Sequence, residues 1–116
     1  MEAHVDVPNF DEHWSHYNDF HFTGTERQFN RIVSHYELYN LARDVPGEIV
    51  ECGVFKGASL LRFATFREIS GETDAKQLIG FDTFGEFPVP EYEPDKERRE
   101  AFVEEAGEES ITKAQL

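Results

Sequence analysis

Apolar positions along the chain change period several times. Phe10, Trp14 and Tyr17 recur at helical spacing among acids and histidines, which predicts a short helix within residues 1–24. That segment, with Phe20 and Phe22, is expected to be an arm packed on the body or on a neighbouring subunit. A second helix opens at Thr25. Thr25-Glu26-Arg27-Gln28 fits a capping box, in which the Thr hydroxyl and the Gln side chain each satisfy a free backbone N–H. Phe29, Ile32, Val33, Tyr36 and Tyr39 follow at three- to four-residue steps and predict one buried face, for core or subunit contact. Pro46-Gly47 ends the segment and suits the centre of a type II turn.

The pattern then shortens. Glu48 to Val54 is brief and rich in β-branched residues, and reads as a strand. Phe55 to Ala58 is a loop, Ser59 to Ile69 a helix apolar on much of its surface, and Ser70-Gly71-Glu72-Thr73-Asp74 its stop. Gln77 to Asp82 is a second strand and Thr83 to Pro88 a loop. Strand, helix, strand is a βαβ unit with parallel pairing. Pro94 is expected to open a helix reaching Ala106 and stopping at Gly107. Ser110 reads as the N-cap of a further helix carrying Ile111, Ala114 and Leu116.

The expected fold class is α/β, the N-terminal part of a doubly wound parallel sheet. A parallel sheet is covered on both faces, and two strands are too few for a core. The pattern therefore predicts a domain truncated after its second strand, with residues 1–24 as arm and 25–116 as the partial domain. The alternative is a complete small α/β domain that buries its sheet edges in an oligomer. In either case a homo-oligomer is expected.

Composition narrows the function classes. With 11 Lys and Arg against 24 Asp and Glu, the net charge of −13 repels phosphate backbones and anionic membranes. The expected partners are small molecules, with no nucleic acid and no membrane. Aromatic residues at 14% argue against wholesale disorder, and a single Cys excludes an intrachain disulfide and suits a reducing compartment. No apolar run approaches the ~20 residues of a membrane span, and Met1 to Asp6 lacks the pattern of a secretory signal, so a cytoplasmic location is expected.

The stretch that can carry chemistry is Glu51-Cys52-Gly53-Val54-Phe55-Lys56-Gly57-Ala58-Ser59, where the first strand passes into its helix. Glycines there let backbone approach a ligand, and a helix N-terminus offers unpaired N–H groups. Asp82 ends the second strand, where an acid can accept hydrogen bonds from both hydroxyls of a ribose. The spacing is not the G-x-G-x-x-G of a nicotinamide dinucleotide site, since Phe55 stands where a glycine would, and no G-K-[ST] of a P-loop follows.

Glu51 to Ser59, followed by Gly80-Phe81-Asp82-Thr83-Phe84-Gly85-Glu86-Phe87-Pro88, resembles the macrocin O-methyltransferase family, with its E-x-G-V-x-x-G-x-S and later D-[ST]-F-x-G-x-P segments. The resemblance covers about residues 25–90. It implies a Rossmann-like class I fold and S-adenosyl-L-methionine as cofactor. It also implies methyl transfer to a sugar hydroxyl, on a deoxyhexose that is nucleotide-linked or part of a natural product. By the resemblance, Glu51 organises the glycine loop and meets the methionine ammonium. Gly53, Val54 and Gly57 lie against the methionine, and Ser59 sits near its carboxylate. Asp82 takes the ribose hydroxyls, with Thr83 and Phe84 beside ribose and adenine. In this family the general base and the acidic Mg²⁺ ligands lie on later strands, so catalytic residues are unassigned and no metal ligand is carried over. A chain truncated there is expected to bind the cofactor weakly and to methylate nothing.

Other readings stand beside these. Gly53 and Gly57 can serve a turn alone, Glu51 can face solvent at a strand end, and Asp82 can cap a loop. Cys52 is expected to be a small packed residue rather than a nucleophile. His13, His16 and His21 read as surface histidines rather than zinc ligands, and the acidic stretch from Glu86 as a solvated helix face. The competing functions are a nicotinamide-dependent oxidoreductase fragment and a non-enzymatic acidic interaction domain.

Overall fold

The structure, a computed structural model, describes residues 6–72 and 76–116. The first five residues of the expected arm, and Thr73 and Asp74 of the expected helix stop, lie outside them. A 3₁₀ turn over Phe10–Glu12 leads into α1 (His13–Thr23), followed by α2 (Glu26–Ala42), β1 (Ile49–Cys52), α3 (Ala58–Ile69), β2 (Leu78–Phe81) and α4 (Glu93–Ala106). The strands form a two-stranded sheet. Ile49 N–H donates to Gln77 O at 3.0 Å and Gly53 N–H to Phe81 O at 2.7 Å, so the two strands advance together in parallel. No helix among the described residues is long and apolar enough to cross a membrane.

The chain divides into two compact units. One comprises Asp6–Ile49 and Leu61–Leu78. The capping box that starts its α2 is formed: Gln28 N–H donates to Thr25 Oγ1, and Thr25 N–H donates to Gln28 Oε1 at 2.8 Å. Ring contacts tie α2 to α3, with Tyr36 edge-on to Phe66 at 5.2 Å between centroids and His35 stacked on Phe63 at 5.1 Å. The predicted apolar stripe of α2 is only partly covered. Tyr39 is buried and Phe29 and Ile32 half-buried, whereas Val33 and Tyr36 are exposed. Periodicity identifies the face, but the single helix α3 is too narrow to cover all of it.

The N-terminal helix α1 forms as the spacing predicts. It meets α2 through Phe20, whose ring lies 4.9 Å from that of Phe29. Phe10, Trp14 and Phe22 remain exposed.

Polar links brace the same unit. Tyr39 Oη donates to Glu72 Oε2 at 2.7 Å and Arg43 Nε to Glu72 Oε1 at 2.5 Å. The Arg43 hydrogen bond, and after it that of Tyr39, hold the Glu72 carboxyl below its ordinary pKa. Its stabilising effect is complete above the usual carboxylate range and is lost as pH falls through the lowered value. Arg62 Nη1 donates to His35 Nδ1 at 3.0 Å, which needs the neutral imidazole. Desolvation, then the charges of Arg62 and Arg31, lower the His35 pKa from 6.5. The unfolded chain therefore binds the proton more readily, and stability should fall as pH drops below the ordinary histidine value. The urea midpoint should decline between pH 7.5 and 5.5, and decline less in His35→Gln, which keeps an acceptor but does not titrate. Equal declines in the two proteins would contradict the His35 assignment.

The second unit comprises Val50–Leu60 and Ile79–Leu116. Val54, Leu60 and Ile111 are its buried apolar residues. Pro94 lies in the first turn of α4, and Gly107 ends the helix at φ +86°, as the sequence predicts. The further helix expected from Ser110 does not form. Ser110 is buried, with its N–H on Gly85 O at 3.2 Å, and Ile111 N–H donates to Phe55 O at 2.8 Å. These backbone bonds tie 110–111 to the two loops that carry Gly85 and Phe55. A reciprocal pair forms two residues later instead, as Thr112 N–H donates to Gln115 Oε1 and Gln115 N–H to Thr112 Oγ1. It closes a turn rather than a helix.

Candidate functional site

Two loops leave the C-terminal ends of the strands within the second unit: residues 53–57 after β1 and 82–88 after β2. Both backbones are strained at one non-glycine residue. Phe55 has φ +52° and Phe84 φ +55°, in the left-handed region that bulky side chains avoid. Such a conformation costs of order 1–3 kcal/mol and persists only where neighbours enforce it. For Phe55 the enforcement is visible. Its N–H donates to Asp82 Oδ2 at 2.7 Å, and its carbonyl accepts from Ile111 N–H. Its ring enters a cluster with Phe102 at 5.3 Å and Phe87 at 6.0 Å.

Asp82 thus joins the two loops. Its Oδ1 accepts the Thr83 N–H at 2.7 Å while Oδ2 accepts that of Phe55. Each carboxylate oxygen offers about two lone-pair directions; Oδ1 also accepts the Thr83 hydroxyl, in a long bond of 3.4 Å, so Oδ2 is the oxygen with capacity for a further donor such as a hydroxyl. The glycines around it differ. Gly53, at φ +86°, has open space where a side chain would lie, so a ligand can approach its backbone. Gly57, also at φ +86°, is buried, and a Cβ there would touch Leu116 Cδ1 at 3.4 Å and Ile111 Cδ1 at 3.6 Å. Its N–H closes the turn on Val54 O at 2.9 Å.

The other residues singled out from the sequence fall around this link. Val54 is buried, and the space beside its Cγ2 is filled by the Gly80 backbone, so its side chain packs the strands rather than facing a ligand. Glu51 is half-buried in β1, and Ser59 half-buried in the first turn of α3. Thr83 is exposed, and Lys113 Nζ lies 5.6 Å from the centre of the Phe84 ring. Cys52 is a free, exposed thiol rather than the packed residue expected, because the strand's alternation puts it with Val50 on the open face. His16 and His21 are exposed and contact backbone carbonyls of Asn9 and Tyr17. Among the described residues no three His, Cys, Asp or Glu side chains are grouped to hold a metal.

Two features escaped sequence reasoning. Phe55 fixes the glycine loop through backbone and ring, and nothing in its residue type signals a left-handed conformation. Lys56 donates to Ala106 O at 2.5 Å, placing a cation at the C-terminal end of α4, where the helix dipole favours it. A separate apolar cavity of about 240 Å³ lies in the first unit, lined by Leu38, Tyr39, Ile49 and Phe63 among others. It contains none of the residues that carry the glycine loop or Asp82.

A loop with open backbone at Gly53, tied to a strand-end carboxylate with spare acceptor capacity, can hold the polar parts of a nucleoside-containing ligand. Comparison with known proteins gives no matching curated protein and no matching solved structure. The family model described as Macrocin-O-methyltransferase (TylF) matches residues 19–114, a span wider than the motifs themselves. The chain belongs to this methyltransferase family.

Proposed function

We propose that this chain is the S-adenosyl-L-methionine-binding portion of an enzyme that methylates a sugar hydroxyl. Family membership supports the methyltransferase class. The observation that carries the cofactor reading is the 2.7 Å hydrogen bond from Phe55 N–H to Asp82. It brings the glycine loop and the acidic strand end within one hydrogen bond of each other, as a ligand spanning a ribose and an amino-acid tail requires. In this reading Asp82 receives the ribose hydroxyls, one on the remaining lone pair of Oδ2 and one on Oδ1 in place of the long Thr83 hydroxyl contact. The open side of Gly53 meets the methionine, Glu51 and Ser59 flank it, and Thr83 and Phe84 border the adenosine. Gly57 and Val54 act from behind, by shaping the turn. The doubly wound sheet and a homo-oligomeric assembly belong to the same proposal.

The cofactor supplies an electrophilic methyl group on sulfonium. The protein's part is to hold that group in line with the acceptor oxygen, which removes much of the entropic barrier. No residue of this chain is assigned as the base, and Mg²⁺ ligands are not assigned among its residues.

The test is a thermal-shift series with S-adenosylmethionine, S-adenosylhomocysteine and NAD. A ligand that binds the native state raises the melting temperature in proportion to the logarithm of its concentration above Kd. Millimolar S-adenosylhomocysteine should raise it and NAD should not. A shift with NAD alone would support an oxidoreductase, and no shift with any of the three would support a non-enzymatic domain.

A further inference from the structure

The two strand-end loops share a second tie, made by backbone groups far along the chain. Beyond α4 the chain runs antiparallel to the loop after β2, with Glu109 opposite Glu86. Phe87 N–H donates to Glu108 O at 2.7 Å, and Ser110 N–H to Gly85 O at 3.2 Å. The next residue crosses to the glycine loop, where Ile111 N–H meets Phe55 O at 2.8 Å. Residues 108–111 therefore bond to both loops in one pass. The side chains follow. Ser110 and Ile111 are buried, and Ile111 Cδ1 and Leu116 Cδ1 lie against the position a side chain on Gly57 would take.

Phe55 is consequently held on both sides. Asp82 Oδ2 accepts its N–H, and its carbonyl accepts from Ile111. A bulky residue stays at φ +52° only while its neighbours enforce it, and Asp82 fixes just one of the two peptide groups. The end of α4 is anchored to the same loop, because Lys56 Nζ donates to Ala106 O at 2.5 Å. Glycine loop, helix end and 108–111 thus form a closed circuit of contacts within the second unit. It grips the loop at Phe55, Lys56 and the filled position beside Gly57, and leaves the space beside Gly53 open.

We propose that residues 108–111 are the positioning element of the candidate site, with Ile111 at their centre. Ile111 meets no ligand; it sets the fraction of molecules whose glycine loop is ready to receive one. Apparent affinity scales with that fraction. Binding in turn holds 108–111 down, because coupling between two sites is reciprocal. The identity of the ligand rests on the cofactor reading above, whereas the tie to Phe55 can be read without any ligand.

The test is amide hydrogen exchange by NMR on the full chain, with and without S-adenosylhomocysteine. Ligand well above its Kd should slow the Ile111 amide roughly tenfold and leave the locally exchanging Val45 amide unchanged. In the ligand-free protein, Ile111→Ala should speed exchange of the Phe55 amide roughly fivefold, and should weaken S-adenosylhomocysteine binding by about the same factor. Ile111→Val, which keeps the shape, should restore both. Because Ile111 is buried, Lys56→Met serves as a second variant: it spares the core, cuts the bond to Ala106 O and should weaken binding roughly twofold. A wild type that binds S-adenosylhomocysteine with its Ile111 amide unslowed overturns the positioning role and leaves the cofactor reading intact. So does a folded Ile111→Ala that binds as tightly as wild type. Phe55 exchange unchanged in Ile111→Ala overturns the role whether or not ligand binds. Phe55 exchange that quickens in Ile111→Ala but not in Ile111→Val, in a protein that binds no S-adenosylhomocysteine, supports the tie and overturns the cofactor reading.

Discussion

Asp82→Ala is expected to loosen both loops at once and to weaken S-adenosylhomocysteine binding at least tenfold. The substitution removes a carboxylate that accepts backbone N–H groups from Phe55 and Thr83, each at 2.7 Å. Hydrogen bonds to a charged group contribute roughly 1.5–3 kcal/mol each, and the abandoned donors must find water. Water can reach Thr83, which is exposed, more readily than half-buried Phe55. The net loss of stability should therefore be about 1.5–3 kcal/mol rather than the sum of two such bonds. Phe55 would also lose one of the partners that hold it at positive φ, so the loop should relax away from its ligand-ready form. Asp82→Asn keeps one carbonyl acceptor and the same shape, and should fall between wild type and alanine in both properties. Urea unfolding gives the stability change, and an NMR titration gives the binding change. An alanine variant as stable as the wild type, with unchanged affinity, would show that the Asp82 link carries neither role.

The second large effect concerns the contact under the strands. A Cβ on Gly80 would stand 2.8 Å from Val54 Cγ2 and 3.2 Å from Leu60 Cδ2, both on buried residues. Real Cβ atoms do not approach so closely, so Gly80→Ala must push β2 or the Val54 side chain aside. Overpacking of this kind costs about 1–3 kcal/mol. Val54→Ala removes the methyl that clashes and leaves a cavity of its own. In the double variant the added methyl fills part of that cavity, so the two losses should fall short of additive by about 0.5–3 kcal/mol. Equilibrium unfolding of the wild type, both single variants and the double variant checks this. Strict additivity would show that Gly80 and Val54 are not packed as described.

Much of this architecture was readable from local chemistry. Thr25 and Gln28 announce a helix start because that pairing satisfies two free N–H groups reciprocally, and the structure forms it. Gly107 stops α4 because its backbone takes a positive φ at low cost. The β-branched run at Ile49 and the alternation of strand and helix gave the parallel pair. What was not readable depends on contacts between distant residues. Val33 and Tyr36 share a helical face with Tyr39, yet periodicity marks a face without saying what covers it. Ser110 has the chemistry of a cap, but Gly85 and Phe55 offer its neighbourhood backbone partners that outweigh a new helix.

The candidate site divides in the same way. Gly53, Gly57 and Asp82 could be singled out because glycine leaves loop backbone open and a strand-end acid can accept hydroxyls, although each also suits a plain turn. Their division of labour was not. Only the coordinates distinguish Gly53, open to approach, from Gly57, closed by Ile111 and Leu116. Only they reveal that Phe55 is the residue through which Asp82 grips the loop.

The most direct test of the account is to map where an adenosyl ligand lands. In a ¹H–¹⁵N spectrum of the full chain titrated with S-adenosylhomocysteine, the amides of Gly53, Phe55 and Thr83 should shift together along one binding curve. Shifts confined to residues around the Leu38 and Phe63 cavity, or a spectrum unmoved at millimolar ligand, would contradict the assignment of the two strand-end loops as a single cofactor site.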